Sequence, residues 1–273
     1  MRVSGKGLIN RKLVLNFKFN NQPFQGFLGD TLASALLANN QKLVARSFKY
    51  HRPRGIMTAG SEEPNALVTI HRSGSQEPNT RATVQPLYEG LVAQPQNAWP
   101  SLKFDALSVN DLLSPFLSAG FYYKTFMWPR AFWERVYEPF IRRAAGLGTL
   151  ANAYDNDLYE KAFAHCDVLV IGAGPSGLMA ALTAARAGLD VILADENDRL
   201  GGRLLSEVEA VAGVAGHIWV EAIFTELVGL SNVQVMTNTT VTGAYDQGTY
   251  GALERVGHHL PLLPAGLPLE TFW

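Results

Sequence analysis

Hydrophobic and polar residues alternate through KLVLNFKFN, residues 12–20, with the two-residue period of a half-buried strand. Asn20-Asn21 supplies a turn, and residues 23–27 read as the returning strand of a hairpin. The period then changes. After Asp30-Thr31 the stretch LASALLANN, residues 32–40, is rich in Ala and Leu and predicts a short helix. Asp30 or Thr31 caps it, and Asn39-Asn40 end it. A further strand is expected at residues 66–71. Hairpin, helix and later strand make a small α+β domain, placed at residues 1–95. Between its helix and last strand lies the loop RSFKYHRPRGIMTAGSEEPN, residues 46–65, basic through Arg46, Lys49, Arg52 and Arg54. A loop this long is either functional or a solvated basic segment, and both readings stay open.

Periodicity fades over residues 72–120. Residues 121–140, FYYKTFMWPRAFWERVYEPF, then carry nine aromatic side chains interleaved with Lys124, Arg130 and Arg135 and interrupted by Pro129 and Pro139. Such density makes either a local core or a surface for a partner, where aromatic residues and Arg are enriched. Residues 96–160 are therefore assigned as a connecting and docking segment, with the polar stretch 151–159 near its end as the linker into the second domain.

From residue 161 the pattern becomes that of a dinucleotide-binding domain. Strand DVLVI, residues 167–171, runs into Gly172-Ala173-Gly174-Pro175-Ser176-Gly177 and then into LMAALTAARAGL, a helix of small residues. A second strand, DVILADE, ends at Asp195-Glu196. A GxGxxG motif alone is weak. Between a strand and a helix, with an acidic pair two dozen residues on, it is specific. Gly172 permits the tight turn, Gly174 lets backbone approach a pyrophosphate, and Gly177 lets helix and strand pack closely. The helix N-terminus stabilises phosphate charge. Asp195 or Glu196 accepts from ribose hydroxyls and disfavours a 2′-phosphate, so NAD or FAD is preferred to NADP. Leu200-Gly201-Gly202-Arg203 follows. Its glycines let backbone pass the pyrophosphate, and Arg203 can neutralise phosphate. Residues 217–228 predict an amphipathic helix, residues 233–246 a strand and turn, and TYGALERVG a partner strand. Val241-Thr242 would lie near the adenine. The sequence stops before the strand and turn that usually complete such a domain, so it reads as a truncated reading frame, with the domain placed at residues 161–273.

Composition narrows the class. Hydrophobic residues at 47% and charged residues at 17% suit a chain with a sizeable core. The net charge of −1 gives no pull toward nucleic acid or an anionic membrane. The first residues lack an apolar signal segment, and no stretch reads as a membrane span, so a cytoplasmic protein is expected. The single cysteine, Cys166, excludes a disulfide framework or a cysteine-based metal site within the chain. His165, His217, His258 and His259 lack metal-ligand spacing, no nucleophile elbow is present, and no catalytic base stands out.

The strings GDTLASALLAN (29–39), RSFKYHRPRGI (46–56), EEPNAL (62–67), EPNTRAT (77–83), WPSLKFD (99–105), NDLLSPFLSAGFYYKTFMWP (110–129) and CDVLVIGAGPSGL resemble the N-terminal part of the alpha subunits of heterotetrameric sarcosine oxidases. The resemblance implies oxidative demethylation of sarcosine to glycine with hydrogen peroxide as product, and passage of the one-carbon unit to tetrahydrofolate. It implies beta, gamma and delta partner subunits, FAD on beta, FMN at the alpha–beta interface and NAD in the alpha Rossmann domain. The implied NAD contacts are Gly172, Gly174, Ser176, Gly177, Asp195, Glu196, Gly202, Arg203, Val241 and Thr242. The fold class is then α+β followed by α/β: a small ferredoxin-like domain of the 2Fe–2S type and an incomplete Rossmann domain. Sister dehydrogenase subunits carry C-x4-C-x2-C in the loop before the last strand of the small domain, where Thr58, Glu63 and Ala66 stand here, so no cluster is expected. This chain alone is not expected to be catalytically competent. Two alternatives remain: the alpha subunit of a related opine or amino-acid dehydrogenase complex, and a non-catalytic nucleotide-binding scaffold.

Overall fold

The computed structural model describes residues 2–3, 7–72, 75–117, 119–120, 126–144, 148, 152 and 154–273. The chain forms two compact units, Met1–Asn156 with His259–Leu262, and Asp157–His258 with Leu263–Trp273.

The first unit is built on the expected hairpin, β1 (Asn10–Phe19) with β2 (Gln22–Leu28). Its turn residues Asn20 and Asn21 have φ of 51° and 62°, the left-handed pair that a two-residue hairpin turn demands and asparagine tolerates. Helix α1 (Leu32–Ala38) follows. Thr31 is its cap: its side chain accepts from the Ser34 N–H while the Ser34 hydroxyl accepts from the Thr31 N–H. Asp30 serves the turn instead, accepting from the Phe27 N–H at 2.8 Å, the Ser34 hydroxyl at 2.7 Å and the Arg2 guanidinium. Short strands β3 (Ala45–Arg46) and β4 (Pro53–Arg54) pair within the long basic loop. β5 (Leu67–Arg72), β6 (Ser75–Arg81) and β7 (Val92–Pro95) complete a five-stranded sheet ordered β2-β1-β7-β5-β6. β1 and β7 run parallel and the other neighbours antiparallel. The core lies where α1 covers this sheet. Phe17, Phe19, Leu32, Leu36, Val68, Ile70, Leu91 and Ala93 are all buried there. Removing each large side chain from water stabilises the unit by about 1.5–3 kcal/mol.

Two elements of that sheet have no periodic signature. β6 is polar and contains Pro78, as an edge strand can. β7 is four residues long, and it is a strand because β1 and β5 offer ladders on both sides.

Of the aromatic segment, Phe121, Tyr122, Tyr123, Lys124 and Thr125 lie outside the described residues. Its remainder forms a 3₁₀ turn at Arg130–Phe132, a π-helical turn at Trp133–Tyr137 and helix α2 (Glu138–Ala144). Tyr137 packs its ring against Phe126 and Phe132 and donates to the Trp128 carbonyl. Trp128, at 83% exposure, and Phe140, at 65%, are turned to solvent.

The second unit begins with a correction to the linker, because Tyr159 opens strand β8 (Tyr159–Lys161). β9 (Val168–Ile171), β10 (Val191–Ala194) and β13 (Val233–Met236) form a parallel sheet in the order β13-β10-β9. Helix α3 (Pro175–Arg186) joins β9 to β10. The small ladder β11 (Ala210–Val211) with β12 (Val214–Ala215) and helix α4 (Gly216–Val228) precede β13. α3 buries Leu178, Ala181, Leu182 and Ala185, a stripe at helical spacing whose alanines permit close packing. The expected hairpin is β14 (Thr239–Tyr245) with β15 (Thr249–Arg255). It is extended by β16 (Glu270–Phe272), with β8 parallel to β16 at the far edge, into a sheet ordered β14-β15-β16-β8. β8 and β16 are three residues each and carry no pattern readable without their partners. No described helix is long and apolar enough to cross a membrane.

Candidate dinucleotide site

The parallel sheet delivers the glycine loop to the carboxyl ends of its strands, the place where open α/β sheets bind ligands. β9 ends at Ile171, and Gly172 turns the chain with φ of +94° while its N–H donates to the Ala194 carbonyl at 2.8 Å. Gly177 is required by contact, since a Cβ there would stand 1.8 Å from the Gly172 carbonyl oxygen. Gly174 is the N-cap residue of α3, and no side chain caps the helix. Pro175 occupies the first turn without an N–H to offer, and Ser176 is exposed beside it. A Cβ on Gly174 would meet no protein atom within 4 Å, so packing within the chain does not call for glycine at this position.

The acidic pair divides into two roles. Asp195 is buried and turned toward the glycine loop. Its Oδ2 accepts from the Ala173 N–H at 2.6 Å, and its Oδ1 accepts from the Asn197 backbone N–H at 2.8 Å and side-chain amide at 3.0 Å. Its carboxylate thus shapes the loop. Glu196, the next residue, is half-buried two positions beyond β10. Arg255, which had no motif to mark it, donates to the Glu196 carbonyl at 2.7 Å. Burial pulls Arg255 below the ordinary guanidinium range, against the opposing charges of Glu196, Glu270 and Asp198.

The second glycine pair packs onto the first loop. The Gly201 N–H donates to the Ala173 carbonyl at 2.7 Å, and Gly202 faces Gly174, whose Cα would lie 3.3 Å from an added Cβ. Arg203 is not turned into this contact. Its side chain is exposed and paired with Glu207 at 2.8 Å, a surface bridge worth at most about 1 kcal/mol. Val241 packs its side chain with Ile192, Ala194 and Met236, and the β14–β15 register skips at Thr242, whose hydroxyl donates to the Gly251 carbonyl. β14 is tied to the site at its start, by the Thr239 N–H bonded to the Asp195 carbonyl at 2.8 Å. The structure therefore gathers Gly172, Gly174, Ser176, Gly177, Asp195, Gly201 and Gly202 around the start of α3, with Glu196 at the adjoining strand end. Among the described residues no group of three His, Cys, Asp or Glu side chains is placed to hold a metal.

Two family models match. Residues 13–98 match the 2Fe-2S iron-sulfur cluster binding domain, and residues 167–250 match the FAD dependent oxidoreductase family. Sarcosine oxidase subunit alpha of Rhizobium meliloti (strain 1021) is 58% identical over 272 residues, covering 100% of this chain and 28% of that protein. Sarcosine oxidase subunit alpha of Corynebacterium sp. (strain U-96) is 33% identical over 256 residues, covering 92% and 22%. The chain thus spans about a quarter of the length of these relatives. Among solved structures, L-proline dehydrogenase from P. horikoshii shares the fold, with a TM-score of 0.55 at 18% identity, over 96% of this chain and 40% of that one. The cluster named by the first family model does not fit the residues present. Thr58, Glu63 and Ala66 stand where the cysteine spacing would fall, and the chain's one cysteine, Cys166, belongs to the second unit.

Proposed function

Because this chain is related over its whole length to sarcosine oxidase alpha subunits, we propose that it is the nucleotide-binding N-terminal part of such a subunit. The carrying observation is 58% identity that runs through both units. In this reading residues 1–95 are a ferredoxin-like domain, residues 96–160 a segment that docks onto neighbouring parts of the assembly, and residues 161–273 the dinucleotide domain. The assembled enzyme, with beta, gamma and delta subunits, oxidises sarcosine to glycine and hydrogen peroxide and transfers the one-carbon unit to tetrahydrofolate. FAD and FMN belong to the beta subunit and the alpha–beta interface.

The nucleotide assigned to this chain is NAD. The uncapped start of α3 binds its pyrophosphate, and Gly174 and Gly202 keep side chains out of the way. Glu196 takes the ribose hydroxyls, since Asp195 is engaged with Ala173 and Asn197. Bound NAD would supply a nicotinamide ring able to exchange hydride, while the residues of this chain hold and orient the ADP half. A second reading, FAD in the same cradle, is favoured by the family model over residues 167–250.

Mass analysis of nucleotide released on denaturing the purified protein separates the two: NAD supports the first reading and FAD the second. Sarcosine-dependent oxygen uptake by the assembled enzyme tests the activity. Oxidation of an opine with a dye acceptor and no response to sarcosine would overturn it in favour of a dehydrogenase complex. Absence of any co-purifying flavoprotein partner would favour a scaffold.

A further inference from the structure

Glu63 is a buried acid, 1% exposed, that accepts from four backbone amides and, at 3.4 Å, from the Thr58 hydroxyl. Its Oε2 accepts from the N–H groups of Met57 at 2.8 Å and Thr58 at 2.7 Å. Its Oε1 accepts from those of Asn65 at 2.8 Å and Ala66 at 3.1 Å. Four amides from both ends of one loop thus converge on a single carboxylate, the geometry of an anion-binding nest. The loop is pinned to the core around it: the Thr83 hydroxyl donates to the Gly60 carbonyl at 2.7 Å and the Ala82 N–H to the Ala66 carbonyl at 2.9 Å.

The location of this nest gives it meaning. It lies within the residues that match a 2Fe–2S cluster-binding domain, and Thr58, Glu63 and Ala66 occupy three positions of the C-x4-C-x2-C spacing. A thiolate-bound cluster is an anionic centre whose properties depend on hydrogen bonds from its surroundings. We infer that Glu63 is a built-in anion that stands in for the cluster, filling the amide nest of the 57–66 loop so that the loop holds its shape without metal. A neutral residue would leave several amides without an acceptor in a largely buried place, and a bound cation would be repelled by them. Burial works against the Glu63 charge, but the amide bonds from Thr58, Asn65, Met57 and Ala66 outweigh it and keep the carboxyl below its ordinary range. Its contribution to stability is therefore full above the unfolded value of about 4.3 and is lost as pH falls through the lower folded value.

The test is Glu63→Ala in the full chain, read by hydrogen exchange of peptides spanning residues 57–66 and by thermal unfolding. Exchange in these peptides rises and the melting temperature drops by roughly 10 °C. Sodium formate, small enough to enter the space left by the shortened side chain, restores protection in the variant with rising concentration, and at equal ionic strength leaves the parent unchanged. Unchanged exchange in Glu63→Ala, or equal protection of both proteins by formate, overturns the inference. Should Glu63→Ala fail to fold, Glu63→Gln decides. The parent loses stability on acidification below about pH 4.3 by a component that Glu63→Gln lacks, and parallel pH profiles refute the assignment.

Discussion

Asp195→Asn separates the acid that shapes the glycine loop from Glu196, the acid proposed to read the nucleotide. In the parent, both carboxylate oxygens of Asp195 accept: Oδ2 from the Ala173 N–H, Oδ1 from the backbone and side chain of Asn197. Asparagine keeps the size but replaces one acceptor with an NH₂ donor. Either orientation aims that donor at an existing N–H group. If it faces Ala173, which is fully buried, a charge-assisted bond worth about 1.5–3 kcal/mol is lost and an unpaired amide costing about 1–3 kcal/mol is left. If it faces Asn197, two bonds are lost at a more exposed place. The expected loss is about 3–5 kcal/mol, or roughly 10 °C in melting temperature. Glu196→Gln is the matched control. It leaves the Ala173 bond intact and takes one of three opposing charges from Arg255, so it should weaken NAD binding about tenfold with a smaller loss of melting temperature than Asp195→Asn. The assays are differential scanning calorimetry and isothermal titration of the same preparations. If Asp195→Asn melts with the parent while Glu196→Gln unfolds the domain, the division of roles between the two acids is wrong.

Further outcomes follow from the same geometry. Gly177→Ala drives a Cβ to 1.8 Å from the Gly172 carbonyl oxygen, a backbone contact that cannot relax locally, and should abolish nucleotide retention while costing about 3 kcal/mol in calorimetric stability. Glu196→Ala should narrow the preference for NAD over NADP in titrations, because the carboxylate that repels a 2′-phosphate is gone; an unchanged ratio would reassign the discrimination to another residue. Trp128→Ala with Trp133→Ala should weaken assembly of the complete enzyme in sedimentation experiments while NAD binding survives, since Trp128 is largely exposed. Unfolding of the alpha subunit with unchanged assembly would make the segment internal core instead.

Several elements are legible in the sequence. The alternation in residues 12–20 and the Asn20-Asn21 turn specify a hairpin, because a two-residue period buries one face and asparagine accepts positive φ at low cost. The strand, glycine loop and small-residue helix at 167–186 are equally local, since Gly172 answers its own positive φ and Gly177 a contact five residues back. β7, β8 and β16 are three or four residues long, and only ladders supplied by distant segments make them strands. Asp195 and Glu196 are chemically alike neighbours just past a strand end, and the packing of the Ala173 loop engages only the Asp195 carboxylate. Glu63 is one acid in a polar loop when read along the chain. Folding alone brings the amides of Met57, Thr58, Asn65 and Ala66 onto its carboxylate. What the sequence by itself determined is whatever depends on near neighbours: periods, turns and the glycine fingerprint. The tertiary structure decided that Asp195 turns into the glycine loop, because that depends on groups far along the chain meeting in a medium where an unpaired charge is costly.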